Sequence, residues 1–150
     1  MQVYFWGTRG SLPASITARA IEAKIVKAIR ASRACPLETD EAIEDFIHNE
    51  LPFPVRASYG GNTACVELGG ADEYVLCDAG TGLRDFASAY MRAKAGGGQN
   101  LPTVFHLLMS HPHWDHLQGF PFFTPAYLPG HRIHIYGGHA DLESIFVRQQ

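Results

Sequence analysis

Seven of the eight histidines in this 150-residue chain fall between His106 and His139. The densest group is Ser110-His111-Pro112-His113-Trp114-Asp115-His116-Leu117-Gln118-Gly119. In a chain of this composition the pattern HxHxDH arises by chance on the order of once in a thousand sequences, so the spacing points to chemistry rather than to loop histidines facing water. Zn²⁺ takes neutral imidazole nitrogen at about 2.0 to 2.1 Å and carboxylate oxygen at about 2.0 to 2.2 Å. In an extended segment His111 and His113 project to the same side and can both reach one metal, and Pro112 biases His111 toward that geometry. Asp115 and His116 follow where the chain turns. They can face a second metal roughly 3.5 to 4 Å from the first, close enough for one hydroxide to bridge the ions. Because cations lower the pKa of bound water, that hydroxide is a nucleophile at neutral pH.

The remaining candidates have plainer readings. His106 lies in an apolar run and is expected to be a hydrogen-bonded core histidine, and His48 to be on the surface. His131, His134 and His139 surround a later strand and are not expected to be ligands. Trp114 is expected to pack rather than to stack on a base. Cys35, Cys65 and Cys77 are odd in number and match neither a CxxC zinc spacing nor a disulfide framework. They are read as free thiols, Cys65 and Cys77 in strands and Cys35 in a loop.

The elements that must position the motif can be traced along the chain. Gln2 to Trp6 is a β-rich run that feeds the loop Gly7-Thr8-Arg9-Gly10. Ile21, Ile25, Val26 and Ile29 recur at helical spacing, and that helix should end near Ala34, before Pro36. Thr39 is the expected N-cap of a second helix, with Asp40 and Glu41 in its first turn and Ile43, Phe46 and Ile47 as its buried stripe. Leu51-Pro52-Phe53-Pro54 closes it. The first helix carries Arg19, Lys24, Lys27, Arg30 and Arg33, and the second has Glu38, Asp40, Glu41, Glu44, Asp45 and Glu50 on or beside it, so the two could pair as a hairpin. A basic arm gripping a phosphate backbone is the functional alternative. Strands are expected at Thr63 to Leu68 and Tyr74 to Cys77, joined by a turn at Gly69 to Asp72. Asp78 to Gly82 opens a helix with Leu83, Phe86, Ala87, Tyr90 and Met91 on one face, ended by Gly96 to Gly98. Leu101 to Met109 has the continuous apolar character of a strand buried on both faces. Arg132 to Tyr136 is a further strand, followed by a helix from near Asp141 with Leu142, Ile145 and Phe146 inward.

At 46% hydrophobic and 18% charged residues the chain has too much to bury to be disordered, and its length suits one core. The formal net charge of -3 gives no bulk attraction to nucleic acid or to an anionic membrane. No stretch has the length of a signal-peptide core or a membrane span, so a cytoplasmic location is expected.

These features together resemble the N-terminal part of a metallo-β-lactamase-fold hydrolase, of the RNase Z and phosphodiesterase branch. The residues that carry the resemblance are Gly7-Thr8-Arg9-Gly10-Ser11, Gly60-Gly61-Asn62-Thr63, Asp78-Ala79-Gly80, and His111-x-His113-x-Asp115-His116 with Gly119 behind it. The resemblance implies an α/β fold, one half of an αββα sandwich over residues 1–150, with a two-helix insertion at about 15–50. It implies that His111 and His113 bind the first metal and Asp115 and His116 the second, that Asp115 also orients the attacking water, and that Asp78 supports the metal loop from outside the ligand set. Oxidoreductase relatives carry a carboxylate at the position of His111, so histidine there favours zinc-type hydrolysis, with manganese or iron as alternatives.

The implied function is a dinuclear metal-dependent hydrolase acting on phosphodiester bonds in a small-molecule or nucleotide substrate. The motif alone leaves phosphodiester, thioester and lactam substrates open. The chain ends before the family's remaining ligands, and His131, His134 and His139 do not stand where the next one would be. The expectation is therefore a piece of a longer hydrolase, a chain completed by a partner or a second copy, or a non-catalytic half-domain that pairs with another chain.

Overall fold

The computed structural model describes residues 2–97 and 101–149. The predicted helix-ending Gly98 lies outside them. The chain divides into two units, residues 1–14 with 61–150, and residues 15–60.

The larger unit is a mixed α/β arrangement around a five-stranded sheet, β1 (Gln2–Gly7), β2 (Cys65–Gly69), β3 (Tyr74–Cys77), β4 (Val104–Met109) and β5 (Arg132–Gly137), in sequence order. The pairs β1–β2 and β2–β3 are antiparallel, and β3–β4 and β4–β5 are parallel. A turn suffices to join β2 to β3, whereas a parallel pair needs a crossover. The helix over Gly82–Ala95 makes it between β3 and β4, and three 3-10 turns between Trp114 and Tyr127 lie between β4 and β5. Of the apolar positions recognised in the sequence, that crossover helix buries Leu83, Phe86, Ala87 and Tyr90, while Met91 packs partly buried against the core. They meet Leu76, Phe105 and Leu107 from the sheet, with Phe123, Leu117 and Phe146 completing the core. Each such fully buried side chain is worth roughly 1.5 to 3 kcal/mol. Phe86 sits edge-on to Trp6 and Tyr74, with ring centroids 5.6 and 5.2 Å apart.

The core covers one face of the sheet. The opposite face consists of two cross-strand rows, Val3, Leu68, Val75, His106 and His134, then Phe5, Val66, Cys77, Leu108 and Tyr136. Phe5 is 69% exposed there and Tyr136 45%. The expectation that β4 is buried on both faces is therefore corrected. Phe105, Leu107 and Met109 are buried, whereas Leu108, on the other face, is exposed. His106 lies on that open face rather than in the core, hydrogen-bonded to Glu73 Oε2 at 2.6 Å and Tyr136 Oη at 2.9 Å. His131 is part of the packing, stacked on Phe105 and hydrogen-bonded to Tyr90 Oη at 2.9 Å. Cys65 and Cys77 stand in β2 and β3, Cys35 lies outside any element, and all three are free thiols.

The smaller unit holds α1 (Ala18–Ser32), α2 (Asp40–Asp45) and α3 (Phe53–Arg56); with the crossover helix as α4 and Leu142–Gln149 as α5, these are the α-helices of the described residues. Thr39 caps α2 as anticipated, its hydroxyl accepting from the Ala42 N–H at 3.2 Å, and Thr17 caps α1 in the same way. α2 passes into a π-helical turn over Phe46–Glu50, and Pro52 opens the single turn of α3. The helical hairpin is not formed: α1 packs on α3, with Lys24 Nζ donating to the carbonyls of Pro54 and Ala57. Of the predicted apolar stripe only Phe46 is buried, since Ile43 and Ile47 are each 38% exposed. Among the described residues no helix is long and apolar enough to cross a membrane.

Candidate metal centre

The motif sits at the carboxyl ends of the adjacent parallel strands β3 and β4, where the chain leaves both strands on the same side and open α/β sheets place their ligands. β3 is followed by Asp78 and β4 by Ser110. His111 to His113 follow without regular structure, His113 with extended backbone (φ -73°, ψ 152°), and Trp114–His116 form a 3-10 turn. The chain is therefore extended at His113 and turns directly after it. The imidazoles of His111 and His113 lie 4.5 Å apart between centroids, and those of His111 and His116 4.1 Å. His116 Nε2 is 3.4 Å from Asp115 Oδ2. Trp114 does not pack as expected: it is 56% exposed beside the site.

Asp78 is nearly buried and adopts a left-handed backbone (φ +63°), a conformation that Asp tolerates better than most residues. Its Oδ1 accepts the Ser110 N–H at 2.8 Å, and its carboxylate also accepts the Ser110 hydroxyl at 2.8 Å. Its Oδ2 lies 2.8 Å from His116 Nδ1. Ser110 Oγ in turn is 3.0 Å from His111 Nδ1.

Backbone contacts clamp the loop. The Ala79 N–H donates to the His116 carbonyl at 2.8 Å, and the Gly119 N–H donates back to the Ala79 carbonyl at 2.9 Å. A Cβ on Gly80 would stand 2.5 Å from the Asp115 carbonyl oxygen, and one on Gly119 would overlap the Gly80 carbonyl. The two glycines thus exist to let the loops touch. Beneath them Thr63 is fully buried; its hydroxyl accepts the Thr81 N–H at 2.8 Å and Gln118 Nε2 at 3.2 Å, joining the start of α4 to the end of the motif.

Two contributors were not anticipated as site residues. Ser11, with φ +67°, donates its backbone N–H to Asp115 Oδ2 at 2.9 Å from the loop after β1. Ser110 bridges Asp78 and His111. Ser110 stood inside the motif, whereas nothing local in the sequence marks Ser11 as a neighbour of Asp115. Burial acts to raise the pKa of Asp115, but the Ser11 N–H, a bond from its own backbone and the nearby His116 and His111 outweigh it and hold the carboxyl below its ordinary value.

His111, His113, Asp115, His116 and Asp78 are thus brought into one neighbourhood. His131, His134 and His139 are not tied to it by any hydrogen bond or ring contact among the described residues. Among those residues, no three His, Cys, Asp or Glu side chains are disposed to hold one ion. The donors approach one another in pairs. Comparison of the chain with protein-family models, with curated proteins and with solved structures found no match.

Proposed function

We propose that the chain is the ligand-bearing part of a dinuclear metal-dependent hydrolase of the metallo-β-lactamase type, one half of its αββα sandwich, acting on phosphodiester bonds. The observation that carries this reading is the pairing of His116 Nε2 with Asp115 Oδ2 at 3.4 Å. With Asp78 Oδ2 2.8 Å from His116 Nδ1, the tautomer protonated there leaves Nε2 as an acceptor facing a carboxylate oxygen, a pair of lone-pair donors that one cation between them would satisfy. Two bonds of about 2.1 Å at a tetrahedral angle span about 3.4 Å, so the pair fits two ligands of one zinc ion. His111 and His113 would hold the other cation, with zinc the first choice and manganese or iron the alternatives.

When bound, such cations polarise a phosphoryl oxygen and lower the pKa of water at the site. The chain's own residues supply position. Asp115, anchored by the Ser11 N–H, would orient the attacking water; Asp78 and Ser110 position the imidazoles. The pairwise donor set implies that further ligands come from more of the same polypeptide or from another chain, since catalytic zinc usually has three protein ligands and water.

Metal analysis of the chain purified without added zinc, then loaded and dialysed, tests the reading. Bound zinc should fall at least about a hundredfold in affinity in His113→Ala, because even outer partners of metal ligands contribute about 10- to 100-fold. Unchanged metal content in the variant, or none in the parent chain, overturns it. Hydrolysis of bis-p-nitrophenyl phosphate by the loaded protein then tests the substrate class.

A second reading, a non-catalytic module that pairs with another chain, is favoured by the exposed sheet face with Val3, Phe5, Leu108 and Tyr136. An assembly larger than 16.5 kDa that binds no metal would support it over the enzyme.

A further inference from the structure

Asp78 reaches one imidazole directly and a second through an intermediary. Ser110 Oγ has one proton, and its contacts at 2.8 and 2.9 Å to the two oxygens of Asp78 claim it, because an ionised carboxylate can only accept. The oxygen can then only accept, from His111 Nδ1 at 3.0 Å and from the more distant His116 Nδ1 at 3.4 Å. If the hydroxyl instead donated to His111, its oxygen would face two carboxylate oxygens at hydrogen-bond distance with no proton between them. The Ser110 N–H, also donated to Asp78 Oδ1 at 2.8 Å, holds the serine in this orientation.

We propose that Ser110 is a positioning residue that selects the coordinating atom of His111. Through the Ser110–Asp78 pair, with His111 Nδ1 3.0 Å from Ser110 Oγ and His116 Nδ1 3.4 Å from Ser110 Oγ and 2.8 Å from Asp78 Oδ2, a single carboxylate keeps two imidazoles in the tautomer with the proton on Nδ1 and leaves Nε2 of each as the outward lone pair. A histidine that coordinates a metal normally donates its other ring N–H to such an outer partner, which sets tautomer and ring orientation. Here one acid does it for two rings, and the serine side chain supplies the missing reach. The consequence for metal affinity rests on the proposed metal centre, whereas the hydrogen-bond chain itself does not.

The test uses the whole chain with ¹⁵N-labelled histidine, treated with chelator and held at pH 8, where long-range ¹H–¹⁵N spectra distinguish the two neutral tautomers. His111 should carry its proton on Nδ1 in the parent protein. Ser110→Ala should convert it to a mixture or to the Nε2–H form, and Ser110→Thr should restore the parent pattern. Zinc affinity should fall about 10- to 100-fold in Ser110→Ala and recover in Ser110→Thr. A proton on Nε2 of His111 in the parent protein overturns the proposal without any variant having to fold. So does an unchanged His111 pattern in a folded Ser110→Ala, or zinc affinity equal to that of a zinc-binding parent. If the tautomers shift as expected but the parent chain binds no zinc, the role of Ser110 stands and the metal reading fails.

Discussion

Asp78 accepts from the Ser110 N–H and the Ser110 hydroxyl and lies 2.8 Å from His116 Nδ1, so its charge and its shape contribute separately. Asp78→Asn preserves the shape, and Asn also tolerates the left-handed backbone at this position. The amide, however, must turn a donor toward groups that already donate. A hydrogen bond to a charged group contributes about 1.5 to 3 kcal/mol, so the variant should lose about 2 to 3 kcal/mol in urea unfolding measured with chelator present. A loss under 0.5 kcal/mol would mean that the carboxylate does not organise the loop. The four motif residues could be singled out in the sequence because ligand type and spacing are local properties. Ser11 could not, since its N–H meets Asp115 across 104 residues of chain.

At the scale of elements, the loops after β3 and β4 can touch only because Gly80 and Gly119 lack side chains. Gly119→Ala would drive a methyl into the Gly80 carbonyl, whereas Gly10→Ala meets nothing within 4 Å. The first should destabilise the fold by about 3 kcal/mol or more and the second by less than about 0.5 kcal/mol, read from urea midpoints. Equal effects would remove the clamp as an explanation. The core stripe of α4 and the Thr39 cap were legible in the sequence, because a helix's periodicity and its first turn are set by neighbours within a few residues. The pairing of α1 was not: complementary charge suggested α2, but exposed ion pairs contribute little, and the carbonyls at the end of α3 offer Lys24 fixed acceptors.

For the molecule as a whole, the consequential feature is a sheet with one covered face. Phe5, 69% exposed on the edge strand β1, leaves apolar surface on that face, which the proposed pairing with another chain would use. Phe5→Lys should lower self-association in sedimentation velocity at high protein concentration while changing stability by less than about 0.5 kcal/mol. A parent chain that stays monomeric at every concentration would argue that the face does not drive association between copies. By itself the sequence determined that three imidazoles and a carboxylate would share one loop after a strand, and that α4 would bury its apolar side. These follow from residue spacing and from the hydrogen-bonding capacity of each side chain. Only the tertiary structure decided that Ser11 converges on that loop, and that β4 is covered on one face rather than two. An apolar run has the same pattern in either case, because what covers a strand is set by contacts between residues far apart in the chain.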